Sequence, residues 1–329
     1  MEKQPDNAQV KKSAVLHALL NKNELGTILP LCLLLIVVGC VNPNFFAMNN
    51  ILDILKTSSF SFIVAVPITF LMASGGMDLS IGAATSFGGV VCAFALKAGM
   101  PIPVSIVLAL GAGAVVGVIN GIVIVYFDLP PFIATLGTQY AFNGIIAITT
   151  ENLAISGFSS SFKMIGQNKL FGMVPLPVVY ALIIGIIGHI ILVKTKYGRA
   201  ILAIGGNRET AYLAGINVRA KCLTVFIATS MLAALSGVLM ASRFASAQPA
   251  AGTGTELTIM ASVIIGGTSM FGGTGTVLGS ALGCILLATI TNALIVMKVS
   301  TFWQNLIFGV ILLAAIFIDK YRRKAGGAE

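Results

Sequence analysis

The segment Ile102 to Phe127, IPVSIVLALGAGAVVGVINGIVIVYF, decides the fold class. It carries no charged side chain, and it is long enough to cross a bilayer as a helix, which takes about 17–25 apolar residues. Within it Gly113, Gly117 and Gly121 recur every four residues and so share one helix face, where a second backbone can approach closely. Similar apolar runs flank it on both sides. Before it lie Gly26 to Val41, Ser58 to Ser74 and Ile81 to Leu96, and after it Phe132 to Thr150, Val174 to Val193 and Cys222 to Ala241. Leu257 to Met270, Thr274 to Met297 and Phe302 to Ile318 complete a set of about ten transmembrane segments. Leu257 to Met270 is short enough to be a half-helix, which leaves nine spans as the alternative.

Composition supports an all-α polytopic membrane protein. Only 9% of the 329 residues are charged, against about a quarter in soluble domains, so a water-facing globule lacks its polar surface. A mean hydropathy of +0.98 also excludes a disordered chain. The net charge of +9 suits cytoplasmic loops of a membrane protein better than a nucleic-acid partner. The five cysteines, Cys32, Cys40, Cys92, Cys222 and Cys284, have no metal-ligand spacing and read as small buried hydrophobes. No cleavage site follows the first apolar run, so an uncleaved first span is expected.

Fourteen of the twenty Lys and Arg fall in three places: the N-terminal tail, the segment Lys194 to Lys221, and the tail after Asp319. With ten spans these share one side, so both termini are expected in the cytoplasm. The organisation is then an N-tail over 1–25, one transmembrane domain over 26–318 and a C-tail over 319–329.

Four motifs interrupt the apolar pattern. In GGMDLSIG, Gly75 to Gly82, Asp78 is either a cap for the next helix, the preferred reading, or a solute contact. Ser80 is an equally good cap. In PPFIATLGT, Pro131 suits a first helical turn. Thr135, Thr138, Gln139 and Asn143 then line one helix with the hydroxyls and amides that a neutral polyol requires, although helix–helix bonding explains any single one of them. Asn120 is a further polar residue inside a span, and with Asp78, Ser80, Thr135, Thr138, Gln139 and Asn143 it makes seven candidate pathway residues. In the basic segment, Asn207 is a good N-cap for a two-turn helix over Arg208 to Ala214, with Gly215 as its stop. Its apolar Ala211, Tyr212 and Leu213 face water unless a soluble partner covers them, so a docking helix is preferred over a loop folded onto the membrane. In SVIIGGTSMFGGTGTVLGSALG, Gly275, Gly279 and Gly283 form a second ladder, read as helix packing. No Gly-Lys-Ser/Thr follows, so no ATP site is expected in this chain. His17 and His189 form no metal cluster, and no nucleophile–base pair is visible.

The four motifs, in this order, resemble the ribose-type permeases, the membrane subunits of bacterial ABC importers for monosaccharides. The resemblance runs from about Phe45 to Ile318. It implies a fold similar to the vitamin-importing class of ABC permeases, located in the bacterial inner membrane. It implies a cytoplasmic ATPase that carries ATP and Mg, a periplasmic or lipid-anchored sugar-binding protein, and a second permease, identical or not, with the path at their interface. It also implies that Gly206 to Gly215, with Asn207, Arg208 and Glu209, is the coupling helix. Other cargoes of the superfamily, nucleosides or branched-chain amino acids, stay open, as does an ion-coupled transporter.

Overall fold

The computed structural model describes residues 25–300 together with 303, 306, 307, 309, 310, 313 and 317. The expected N-tail, C-tail, most of the tenth segment and His17 lie outside the described residues. Between residues 25 and 300 twelve α-helices follow in order: α1 (Leu25–Val41), α2 (Met48–Ala73), α3 (Ile81–Lys97), α4 (Ile102–Val125), α5 (Pro131–Thr150), α6 (Ser160–Gln167), α7 (Leu176–Lys194), α8 (Lys196–Gly206), α9 (Arg208–Leu213), α10 (Val218–Phe244), α11 (Thr255–Ile265) and α12 (Val277–Val296). Six of them, α2, α4, α5, α7, α10 and α12, are long and apolar enough to cross a membrane. The chain is an all-α polytopic membrane protein with two minimal strand pairs, β1 (Ile155–Ser156) with β4 (Ser246–Ala247) and β2 (Lys169–Leu170) with β3 (Val174–Pro175), both antiparallel.

Helix α10 is the axis of the molecule and packs on α2, α3, α4 and α6. Small residues set these contacts. A Cβ added at Gly117 would meet Phe226 O at 2.5 Å and Ile227 Cα at 2.6 Å, and one at Gly113 would meet Ser230 O at 2.5 Å. Gly121 faces Leu223, so the whole first ladder packs on α10, as close-packed membrane helices require. Hydroxyls add bonds between helices. Ser236 Oγ donates to Phe60 O at 3.0 Å, Ser242 Oγ donates to Phe162 O at 2.6 Å, and Thr69 and Ser280 share a 2.7 Å bond. By contrast α4, α5 and α7 expose large apolar side chains such as Val107, Ile133, Ile148 and Ile186, the surface left for lipid or a partner helix.

Several expectations are corrected. Helix α2 starts ten residues before Ser58, because Asp53 and Lys56 pair at 3.0 Å on its first turns and a helix extends beyond its apolar stretch. Cys32 and Cys40 are exposed on α1, while Cys92, Cys222 and Cys284 are buried. Gly275 precedes α12 and is not part of its face, since Thr276 caps that helix by accepting from Gly279 N at 3.3 Å. Only Gly279 and Gly283 form the second ladder, and both press on the backbone of α11 and its end, at Gly266 and Ser262. The short segment begins as the half-helix α11, about 16 Å long at 1.5 Å per residue, and ends at Gly266 and Gly267. His189 is half-buried and its Nδ1 has no hydrogen-bond partner.

Candidate functional site

Polar groups inside the apolar body gather around the turn between α2 and α3. Gly75, at φ +79°, ends α2 in the left-handed conformation, and the chain turns through Asp78 into α3. Asp78 is fully buried. Its Oδ1 accepts from Ser80 N at 2.8 Å, from Ser80 Oγ at 2.6 Å and, more weakly, from Asn120 Nδ2 of α4 at 3.4 Å. Asn120 Nδ2 also donates to Ser80 Oγ at 2.7 Å. The cap reading is therefore refined. Ser80 holds the N-cap position, but its hydroxyl turns back to Asp78 and makes no cap bond. Asp78 closes the turn two residues upstream instead of capping the helix. Thr135 joins the same turn from α5, accepting from Leu79 N at 3.1 Å while donating to Pro131 O at 2.8 Å. Pro131 opens α5 as expected.

Gln139, one turn further along α5, leads to a residue that the sequence pattern did not single out. Its Nε2 donates at 2.9 Å to Oε1 of Glu256, in the first turn of the half-helix α11. Glu256 is only 8% exposed, and its Oε2 has no hydrogen-bond partner. The signal available was an acid opening an apolar run just after a glycine-rich loop, the same kind of pattern that drew attention to Asp78. Thr138 bonds to its own helix at Ala134 O, and Asn143 is half-buried two turns beyond Thr135. Of the seven expected pathway residues, Asp78, Ser80 and Asn120 thus form one network, which Thr135 adjoins through Leu79 N and in which Asp78 Oδ2 and Asn120 Oδ1 stay unpartnered, and Gln139 pairs separately with Glu256. Thr138 and Asn143 join neither. A cavity of about 280 Å³ lies one to two turns along α3, lined by Thr85, Ser86 and Gly89, by Gly237 of α10 and by the segment Ser246 to Ala251.

At the end of the molecule that holds residues 194–221, the expected two-turn helix is present as α9, and a further helix, α8, precedes it. Thr195 caps α8 by accepting from Gly198 N at 3.2 Å. Asn207, in extended conformation, separates α8 from α9 and caps α9 by accepting from Thr210 N at 2.8 Å. Gly215, at φ +81°, stops α9, with Gly215 N donating to Tyr212 O and Ile216 N to Ala211 O. Gly206, expected in the same helix as Arg208 and Glu209, is the last residue of α8 and does not belong to α9. Ala211 is buried, because it points back into the core, whereas Tyr212 and Leu213 are 70% and 78% exposed. Arg208, Glu209 and Tyr212 line a groove of about 1090 Å³ with Tyr126, Asp128 and Arg219. Tyr197 holds the elbow to α10 through a 2.7 Å bond to Thr224, with Lys221 Nζ 4.4 Å from its ring centre. Gly205 of α8 lies against Ala73 O at the end of α2, and Gly273 N donates to the same oxygen at 2.9 Å. Gly205 thus brings the α8–α9 elbow, backbone to backbone, against the end of α2 that precedes the Asp78 turn and against the loop after α11.

Comparison with known proteins places this arrangement. Residues 50–316 match the family described as branched-chain amino acid transport system / permease component. The ribose import permease protein of Haemophilus influenzae is 35% identical, over 91% of this chain and 93% of its own length. That of Bacillus subtilis is 35% identical over 90% and 92%. The D-allose transport system permease protein of Escherichia coli is 34% identical over 90% and 91%. No solved structure matches the chain significantly. With the family match and these relatives covering most of its length, the chain belongs to the branched-chain amino acid transport system / permease component family, beside the ribose and allose import permeases.

Proposed function

We propose that this chain is the membrane permease subunit of a bacterial ABC importer whose cargo is a neutral monosaccharide. It is a transport subunit and not an enzyme. The observation that carries the reading is the α8–α9 elbow. A two-turn helix with a complete N-cap and C-stop holds Tyr212 and Leu213 out to solvent, while Gly205 ties it to the transmembrane turns. A helix this short is unstable alone, so its exposed apolar tip suits a partner that covers it. The sugar class rests on the relatives, which are named for ribose and allose.

In this reading the end that holds α9 faces the cytoplasm and docks an ATPase, which binds ATP and Mg; the permease itself needs no cofactor. Arg208, Glu209, Tyr212 and Leu213 make the contact, and the groove beside Tyr126 and Asp128 receives part of the partner. Ten passes in a fold like that of the vitamin importers, with α11 and its preceding segment forming one of them, return both tails to the cytoplasmic side. Residues 26–318 form the transmembrane domain between the tails 1–25 and 319–329. A second permease packs on the exposed faces, and a sugar-binding protein delivers cargo to the opposite end, where Asp53, Lys56 and Arg243 gather. ATP favours one conformation of the assembly, and the elbow passes that preference to the Asp78 turn.

The test is purification of the tagged chain from its native membrane in mild detergent, with co-eluting chains identified by mass. An ATPase in stoichiometric amount, lost on Tyr212→Ala/Leu213→Asp, is the expected result. Uptake by the chain reconstituted alone, with no ATPase, would overturn the reading in favour of an ion-coupled transporter.

A further inference from the structure

One face of α3 carries Gly82, Ser86 and Gly89 at helical spacing, and two unusual features meet there. The first is the 280 Å³ cavity, near the lower end of the size range of small-molecule pockets. Its lining is partly polar, with Thr85, Ser86, Ser246 and Gln248, and Gln248 is exposed. The second is Glu256, about one turn down the same face. A Cβ at Gly82 would collide with Glu256 Oε2 and Gly252 O, so only a glycine lets the carboxylate lie against α3. The segment between them is pinned to α3, with Gly252 N donating to Ser86 Oγ at 2.9 Å.

A buried carboxylate in a membrane body is costly and needs a reason. Asp78 has one, since its Oδ1 organises a turn through Ser80 and Asn120, although its Oδ2 has no donor. Glu256 organises no turn: Gln139 donates to Oε1, and Oε2 too is left without a donor. The half-helix it opens starts at Gly254, which provides no side-chain cap, so the broken helix ends inside the body in the way that transporters use to face a solute.

We infer that this column, the cavity over Ser86 with Gln248 at its rim and the Gln139–Glu256 pair one turn below, is a binding site for a neutral monosaccharide in transit. Sugar hydroxyls supply the O–H donors that Oε2 lacks, and the amides of Gln248 and Gln139 can both donate and accept. An anionic cargo is disfavoured by Glu256, and an apolar one leaves its oxygen unpaired. The inference rests on the sugar-import reading above and adds residues that the reading does not use.

The test uses the transporter purified with its partners and reconstituted in liposomes, with binding protein saturated with sugar. Uptake of ribose, allose and galactose, and of the monodeoxy analogues of whichever is imported, is measured for wild type, Glu256→Gln and Gln248→Leu. Glu256→Gln is expected to slow uptake about tenfold or more while the ATPase rate stays within about twofold. At least one monodeoxy analogue that is slow in wild type loses nothing further in the variant, because residue and hydroxyl are coupled. Gln248→Leu, at an exposed position that leaves the fold intact, shows the same coupling with a different hydroxyl. Additive penalties for every analogue in both variants overturn the inference, as does unchanged uptake in both. Wild type importing none of the three sugars overturns the sugar reading and this inference with it. Sugar import with both variants indifferent overturns this inference alone.

Discussion

Replacing Gly117 by Ala tests the packing that holds the molecule together. The added methyl group on α4 would sit 2.5 Å from Phe226 O, 2.6 Å from Ile227 Cα and 2.9 Å from Ile227 N. All three are backbone atoms of α10, so no side chain can rotate away. Ordinary contact begins at 3.4 Å, so the helices must part by nearly 1 Å at this level. A gap of about 0.5–1 Å forfeits a quarter to a half of each contact's attraction, and overpacking of this kind typically costs about 1–3 kcal/mol. The ratio of folded to unfolded protein then falls roughly 5- to 150-fold. Gly111 on the same helix is the control, since it is exposed and a Cβ there meets nothing within 4 Å. A thiol-reactive dye melt in mild detergent reads the difference. With the exposed Cys32 and Cys40 changed to Ser, the buried Cys92, Cys222 and Cys284 report unfolding. Gly117→Ala should melt lower by about 2 °C or more per kcal/mol, and Gly111→Ala should match wild type. Equal melting of the two variants would refute the close approach of α4 to α10.

Three further outcomes are expected. Asn207→Ala removes the 2.8 Å cap on α9 at about 1 kcal/mol, enough to unwind a two-turn helix, so uptake should fall while the thermal melt stays within about 2 °C of wild type. Gly205→Ala drives a methyl group into Ala73 O beside Gly273, so uptake should drop relative to ATP turnover in the reconstituted transporter, whereas Gly206→Ala, with open space, should be neutral. Asp78→Asn keeps an oxygen to accept from Ser80 and should retain much of the transport. Asp78→Ala strands the N–H and O–H of Ser80 at about 1–3 kcal/mol and should reduce the yield of folded protein, measured by size-exclusion of the detergent extract.

Helix α9 was legible because it is built from local chemistry. Asn207, Arg208 to Leu213 and Gly215 carry cap, helix and stop within a few residues, and each acts on its near neighbours. The half-helix was legible for a similar reason, since Gly266 and Gly267 end it in sequence as they do in space. What was misread depended on distant partners. Ser80 looks like a cap until Asp78 and Asn120 compete for its hydroxyl. Ala211 looks exposed beside Tyr212 and Leu213 until the helix rotates it toward the core. Glu256 looks like an ordinary first-turn acid until Gln139, more than a hundred residues away, is found beside it.

The sequence by itself determined that this is a helical membrane protein, where most of its spans run, and which short helix projects from them. Those properties follow from apolar length, glycine breaks and capping, all of which act over one to a few turns. Only the tertiary structure decided which glycines are packing surfaces, which polar residues bond with one another and which acids, Asp78 and Glu256, are left with an unpartnered oxygen. In a body with almost no charge, any hydroxyl or amide can serve any neighbour, so periodicity places each residue on a helix face without naming the face it meets. The contact of Gly117 with Phe226 and the meeting of Glu256 with Gly82 exist only once α4, α10, α3 and α11 have been brought together.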